Sequence, residues 1–284
     1  MPDIQSINFL KPLSINNKIR LGPDHDGGYV VYEPALKNAT LLTYGVGWDV
    51  GFEEHFNKMT SNKVLMFDPT MFNNIMIDMD KVQRLLHNFE VKKLMTYLLF
   101  ISKFWLKKLI LKYRNVMFVN EGLDVKKGAK YDTLIHHLQK YQLANDDILL
   151  KIDIEGKEYE IFEDENAFRY MQNASQILLE FHYLEKYFSR FEKIINRFKN
   201  DYEIVHIHGN NCSNRFALKT TNLSDKYILF PEVVELTFVK RNKIIDRDIT
   251  IKNENYPIPG LDYPNQIGRE DYSINFHDIS AIVT

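Results

Sequence analysis

Short apolar runs alternate along the chain with amphipathic stretches, and this alternation predicts strands separated by helices. Residues 41 to 48, Leu-Leu-Thr-Tyr-Gly-Val-Gly-Trp, read as a short buried strand running into glycines. A helix is predicted to start over Glu53 to Met59. A second apolar strand covers Lys63 to Phe67 and ends at Asp68-Pro69, and a third covers Val116 to Val119. Asp132 to Tyr141 carries apolar positions at 134, 135, 138 and 141, a helical period. Ile148 to Ile152 is a continuous apolar run broken only by Lys151, the pattern of a central parallel strand. Ile177 to Leu179 follows, and then a long helix over roughly Tyr183 to Lys199. Tyr202 to Ile207 and Val233 to Val239 complete the set.

Strands separated by helices imply βαβ units and a mostly parallel sheet, hence an α/β fold. Only a loop is predicted between the last two strands, which makes them an antiparallel pair at one edge. A single domain over 1–284 is expected. Within it, 1–40 form an N-terminal cap, 72–115 a helical insertion after the second strand, and 242–284 an irregular, Pro-rich C-terminal extension. Lysine plus arginine (36) nearly balance aspartate plus glutamate (38), so no global field attracts nucleic acid, and none is expected as a partner. The single Cys212 excludes an internal disulfide and suits a reducing cytoplasm. The first residues lack a secretory pattern, and no apolar run is long enough to span a bilayer. The expected location is cytoplasmic.

Gly45, Gly47 and Gly51 follow the first strand and precede a helix, in the spacing G-x-G-x-x-x-G. A turn of this kind lets backbone approach a ligand, and the helix start offers free N–H groups. Asp68 lies 21 residues beyond Gly47, at the end of the next strand, where a carboxylate can accept hydrogen bonds from ribose hydroxyls. Together they point to a ligand containing a nucleoside. No Gly-Lys-Ser/Thr follows, so the turn is not a P-loop.

Three strand ends carry polar pairs at i, i+2: Asp153 and Glu155, Glu180 and His182, His206 and His208. Members of such a pair share one side of an extended segment. Parallel strands bring their carboxyl ends to one rim, where open α/β sheets bind ligands. Ionisable groups concentrated there are costly unless they are paired, metal-bound or used in catalysis. Two chemistries fit. In one, a divalent metal (Mg²⁺ or Mn²⁺) sits among Asp153, Glu180 and His208 and acidifies an acceptor hydroxyl. In the other, no metal is present and His182 or His208 is a general base oriented by a carboxylate.

Leu150-Lys-Ile-Asp-Ile-Glu-Gly-Lys-Glu158, followed by Ile-Leu-Leu-Glu-Phe-His, resembles the FkbM-like family of class I S-adenosylmethionine-dependent methyltransferases. Arg20-Leu-Gly, Asp26-Gly-Gly-Tyr29 and the His-Ile-His-Gly-Asn-Asn segment extend the resemblance from about Arg20 to Pro264. It implies a Rossmann-like seven-stranded sheet and O-methylation, often of sugars in polysaccharides or natural products. It also implies that Gly45 and Gly47 lie against the methionine part of S-adenosylmethionine, Asp68 against its ribose, and Asp153 beside the transferring methyl. Asp26 and Tyr29 are further expected cofactor contacts.

Between Asp68 and the third strand, Val91 to Asn115 carries Lys92, Lys93, Lys103, Lys107, Lys108, Lys112 and Arg114 and no acid, interleaved with apolar residues. This basic amphipathic pattern fits a cap packed on the domain or on a second copy of the chain. It equally fits docking on an anionic membrane face, or an acceptor linked to a nucleotide or lipid. Two rival readings remain. A nicotinamide-dependent oxidoreductase is disfavoured by the glycine spacing and by the lack of a Tyr-x-x-x-Lys pair near the rim. A non-catalytic scaffold in glycan assembly is disfavoured by the costly polar groups at 153, 180 and 208.

Overall fold

The computed structural model describes residues 3–4, 7–47, 49–70, 79–112, 114–143, 146–220, 227–251 and 255–276. In chain order the strands are β1 (Asp3–Ile4), β2 (Lys18–Leu21), β3 (Tyr29–Tyr32), β4 (Ala39–Tyr44), β5 (Val64–Phe67), β6 (Val116–Val119), β7 (Gly122–Leu123), β8 (Tyr131–Asp132), β9 (Asp147–Ile152), β10 (Ala174–Phe181), β11 (Tyr202–Gly209), β12 (Arg215–Thr220), β13 (Tyr227–Pro231) and β14 (Val234–Lys240). The α-helices are α1 (Gly51–Thr60), α2 (Met79–His87), α3 (Val91–Lys112), α4 (Leu134–Lys140), α5 (Glu158–Glu163), α6 (Glu165–Met171) and α7 (Leu184–Phe198).

Seven strands form the central sheet in the order β11-β14-β10-β9-β4-β5-β6. The β6–β5, β5–β4, β4–β9 and β9–β10 pairs are parallel, and β14 runs antiparallel to both of its neighbours. The chain enters at β4, steps outward to β6, and returns to β9 on the other side of β4. That reversal creates a switch point at the carboxyl ends of β4 and β9, the usual ligand crevice of open α/β sheets.

The last two sheet strands do form the antiparallel pair at one edge. Their connection, expected to be a loop, instead carries the β12–β13 hairpin, and β1 pairs with β12. Phe216 and Leu218 are buried between more exposed neighbours, the period-2 signal of a half-buried strand. Residues 72–78 and 113 of the helical insertion, 252–254 and 277–284 of the C-terminal extension, and Trp48 of the glycine turn lie outside the described residues.

The two sheet faces bury different partners. One packs under α4 to α7, where Tyr159, Phe162, Phe168, Phe191 and Phe198 interlock. In α7 the buried positions Leu184, Phe188, Phe191, Ile194, Ile195 and Phe198 recur every three or four residues, which makes the segment an amphipathic helix. Thr133 caps α4 by accepting the His136 backbone N–H. The other face is covered by α1 and the β2–β3 hairpin, through Phe52, Phe56, Leu21, Tyr29 and Val31 against Leu41, Leu149 and Leu178. On α3 the apolar side chains described are mostly on the surface. Ile101 is buried, whereas Met95, Leu98, Leu99, Phe100, Trp105 and Leu106 are exposed. Among the described residues no helix is long and apolar enough to cross a membrane.

At the switch point β4 and β9 finish in contact. The Asp153 N–H donates to the Tyr44 carbonyl at 3.0 Å, and the chain then turns at Gly45 with φ +76°. A Cβ on Gly45 would lie 1.5 Å from the Asp153 carbonyl oxygen, so only glycine lets the two strand ends meet. Gly47 is also left-handed, at φ +62°, but among the described residues, its chain neighbours apart, a Cβ there would meet nothing within 4 Å. Gly47→Ala should therefore cost about 1–2 kcal/mol, from backbone conformation alone. Gly45→Ala should cost at least ~2 kcal/mol more, through the added clash. Urea unfolding of both variants checks this, and equal midpoints would show that the strand ends part freely.

Candidate functional site at the strand-end rim

On the face under the β2–β3 hairpin, the side chains change from apolar to polar toward the rim. Leu149 gives way to Lys151 and Asp153, and Leu178 to Glu180 and His182, at the two-residue period of a strand. Register then aligns a row across the sheet. Glu180 pairs with Glu235, and Glu235 with His208. Ile152 pairs with Leu179, so one further residue along both strands sets Asp153 beside Glu180. Three carboxylates therefore stand on adjacent strands about 5 Å apart.

Tyr29, from β3, closes over this row. Its hydroxyl donates to Glu180 Oε2 at 2.8 Å and lies 3.3 Å from Asp153 Oδ2. Asn210 Nδ2 donates to Glu180 Oε1 at 3.0 Å, so both oxygens of that buried carboxylate are held. Burial, then the charges of Asp153 and Glu235, push the Glu180 carboxyl well above its ordinary range. Burial and the facing Glu180 and Asp153 likewise push the Tyr29 hydroxyl up, which keeps it a donor. Lys151 Nζ lies over the Tyr29 ring, 4.7 Å from its centroid. Behind it, buried Glu53 accepts from Thr43 Oγ1 at 2.9 Å.

His182 is set by Glu158, which is fully buried. Glu158 Oε1 accepts the His182 backbone N–H at 2.7 Å and faces Nδ1 at 3.0 Å, while Oε2 accepts the Gly156 N–H at 2.7 Å. Nε2 consequently points into the rim, 3.8 Å from Asp153 Oδ1, 3.6 Å from Glu155 Oε2 and 3.7 Å from Glu180 Oε1. Burial pulls His182 down, but the Glu158 hydrogen bond and the Glu180 and Asp153 charges outweigh it and raise the imidazole to about 9. The rim backbone is strained at two non-glycine residues, Glu155 and Tyr183, both at φ +55°.

His208 is not brought to this cluster. β14 lies between β10 and β11, so Glu235 separates His208 from Glu180. His208 Nδ1 faces Glu235 Oε2 at 3.3 Å, and Nε2 faces Asp271 Oδ2 at 3.0 Å. With both nitrogens engaged by carboxylates, it has no lone pair to give to a metal shared with Asp153 and Glu180. His206 is also tied down, with Nε2 2.7 Å from Asp262 Oδ1. Burial pushes Asp262 up, but His206 outweighs it and holds that carboxyl below its usual range. Asn265 Nδ2 donates to Glu235 Oε1 at 2.7 Å and reaches Asp26 Oδ1 at 3.1 Å. The C-terminal extension thus clamps the far half of the row, and Asp26 belongs to that clamp.

The glycine turn lies beside the near half. Asp68 Oδ2 accepts the Gly47 N–H at 2.9 Å, and Oδ1 accepts from the Thr70 N–H and Oγ1, both at 2.7 Å. Gly45, Gly47, Asp68, Asp153, Glu180, His182 and Tyr29 are therefore gathered around the switch point. Several partners lie outside the sequence reading, among them Glu158, Glu235 and Asp271. Glu158 stands within the Asp-Ile-Glu-Gly-Lys-Glu run, and Glu235 is a lone carboxylate in an apolar strand; both were visible signals. Asp271 sits in irregular sequence with no periodic cue.

No family model matches the chain. No curated protein matches it. Among solved structures it is similar to precorrin-6y C5,15-methyltransferase from Geobacter metallireducens GS-15, with 14% identity and a TM-score of 0.34, covering 72% of this chain and 81% of that one.

Burial pulls His208 down, but Asp271 and Glu235 outweigh it, with Asp262 adding to them, and raise the imidazole to about 10. A histidine raised above its unfolded value of about 6.5 contributes stability that is complete below that pH. The contribution declines as pH rises toward 10. His208→Gln should therefore be less stable than wild type near pH 6, with the difference shrinking between pH 6.5 and 10. Thermal melts across that window check this, and a constant difference would refute the ion-pair assignment.

Proposed function

We propose that this chain is an S-adenosylmethionine-dependent methyltransferase acting on a hydroxyl, with its active site at the carboxyl ends of β4, β9 and β10. The observation that carries the reading is the meeting of two features at one switch point. One is a glycine turn with open space above Gly47, beside an acidic strand end. The other is a row of polar side chains suited to proton removal. The motif resemblance at residues 150–158 supports the same reading.

The residues present fit the cofactor. Gly47 leaves room where a Cβ would otherwise project, and Asp68 is fixed at the adjoining strand end with its carboxylate already aligned by Gly47 and Thr70. When bound, S-adenosylmethionine supplies an electrophilic methyl on a sulfonium. The chain's own part is to hold the acceptor, exclude water and take up a proton. Asp153 Oδ1 and His182 Nε2 face the same space. With the imidazole raised to about 9, Asp153 is the group placed to accept the proton of an acceptor hydroxyl near neutral pH, and His182 takes over that role as pH rises. Tyr29 and Asn210 hold Glu180 and so stiffen the wall behind the pair. Holding acceptor and donor in line contributes the larger, entropic part of the rate. A carbohydrate acceptor, free or linked to a nucleotide or lipid, suits a rim rich in carboxylates, which accept hydrogen bonds from sugar hydroxyls.

Calorimetry with S-adenosylmethionine should show one binding site, weakened about tenfold or more by Asp68→Ala. Asp153→Asn should retain cofactor binding yet lose on the order of 10²-fold or more in methyl transfer to a panel of nucleotide-activated sugars. Binding of NAD⁺ in place of S-adenosylmethionine would replace this reading with an oxidoreductase.

A further inference from the structure

The arrangement of His182 is unusual for a simple counter-ion. A protonated Nε2–H among carboxylates normally closes on one of them at about 2.8 Å. Here Nε2 stands 3.6 to 3.8 Å from oxygens of Asp153, Glu155 and Glu180, and is hydrogen-bonded to none. Its ring is nine-tenths buried, and Glu158 takes the Nδ1 side, so in the neutral ring the lone pair is the atom aimed into the cluster. A carboxylate that fixes the remote nitrogen of a histidine is the usual support behind a metal-ligating imidazole.

We propose that Asp153, Glu155 and His182 form a binding site for a divalent first-row transition cation. One oxygen each from Asp153 and Glu155, with Nε2 of His182, lie within 4.8 Å of one another. Neighbouring ligands around an ion with bonds of about 2.1 Å stand about 3.0–3.4 Å apart, so small side-chain movements close the set. Tyr29 and Asn210 each take one lone pair on the two Glu180 oxygens, so Glu180 borders the set as a hydrogen-bonded neighbour. The Lys151 ammonium, over the Tyr29 ring, acts on Asp153 through its charge but is not among the groups that converge on His182 Nε2. Glu155 fits the role from the other side. It keeps a left-handed backbone that glycine or asparagine would adopt more cheaply, and its largely exposed side chain reaches back toward His182. One nitrogen and two oxygen donors favour Mn²⁺ or a later ion over Mg²⁺. Three protein ligands leave positions open for water or an acceptor hydroxyl, which the ion would hold and acidify. That use rests on the methyl-transfer reading; the binding of the ion does not.

The test uses the full chain, stripped with chelator and titrated with Mn²⁺ by calorimetry and electron paramagnetic resonance. One site is expected, with a nitrogen coupling to the manganese that disappears in His182→Gln. Glu155→Gln, at an exposed position, should weaken binding at least tenfold while leaving the fold intact by circular dichroism. Glu158→Gln should weaken it about 10–100-fold. No Mn²⁺ or Zn²⁺ binding below about 1 mM, or binding unchanged in Glu155→Gln, overturns the site. S-adenosylmethionine is titrated in parallel. Cofactor binding without metal binding overturns the ion alone. Glu155-dependent metal binding without cofactor binding upholds the ion and removes the methyltransferase reading.

Discussion

Asp153, Glu180 and Glu235 stand side by side on adjacent strands, largely out of water, where like charges at strand spacing repel strongly. Much of the surrounding architecture answers that repulsion. The β2–β3 hairpin lowers a tyrosine hydroxyl onto two of the carboxylates, and Asn210 reaches back from the end of β11 to Glu180. On the far side, His208 and Asn265 satisfy Glu235. Glu180 responds by holding its proton more tightly. A buried acidic row is retained at such cost where it meets a cation or a reaction.

Much of this was legible in the chain itself. Continuous apolar runs at 148–152 and 177–179 mark central strands, because both of their faces are covered. The i, i+2 polar pairs at their ends give the face that each side chain shares. Periodicity, however, gives a face and not a neighbour. The order in which strands lie side by side depends on long-range pairing, and β14 inserts between β10 and β11. That single insertion takes His208 away from Asp153 and Glu180 and gives it to Glu235 and Asp271. His182, directly after the strand that carries Glu180, is the imidazole that lies beside Asp153 and Glu180. The β12–β13 hairpin was missed although Phe216 and Leu218 alternate with more exposed residues. Its second strand breaks the pattern, with Tyr227 and Leu229 exposed.

The α3 segment shows a different limit. Its helical character follows from composition and spacing, but among the described side chains of that face Leu98, Phe100 and Trp105 are exposed and only Ile101 is buried. A helical pattern encodes an apolar surface without naming what covers it.

The clamp from Asp262, Asn265 and Asp271 gives the rim a particular order of assembly. Tyr29, Asp153, Glu180, His208, Glu235 and Asp271 meet in one place although they are scattered over most of the chain. Contacts of such separation close late in folding, after the local helices and hairpins. During synthesis, the β10 and β11 strand ends leave the ribosome well before the residues that balance their charges. Until those arrive, His206 lacks Asp262, and His208 and Glu235 have only each other. The far half of the rim is therefore finished by residues that follow the last strand of the sheet, and not by the sheet itself.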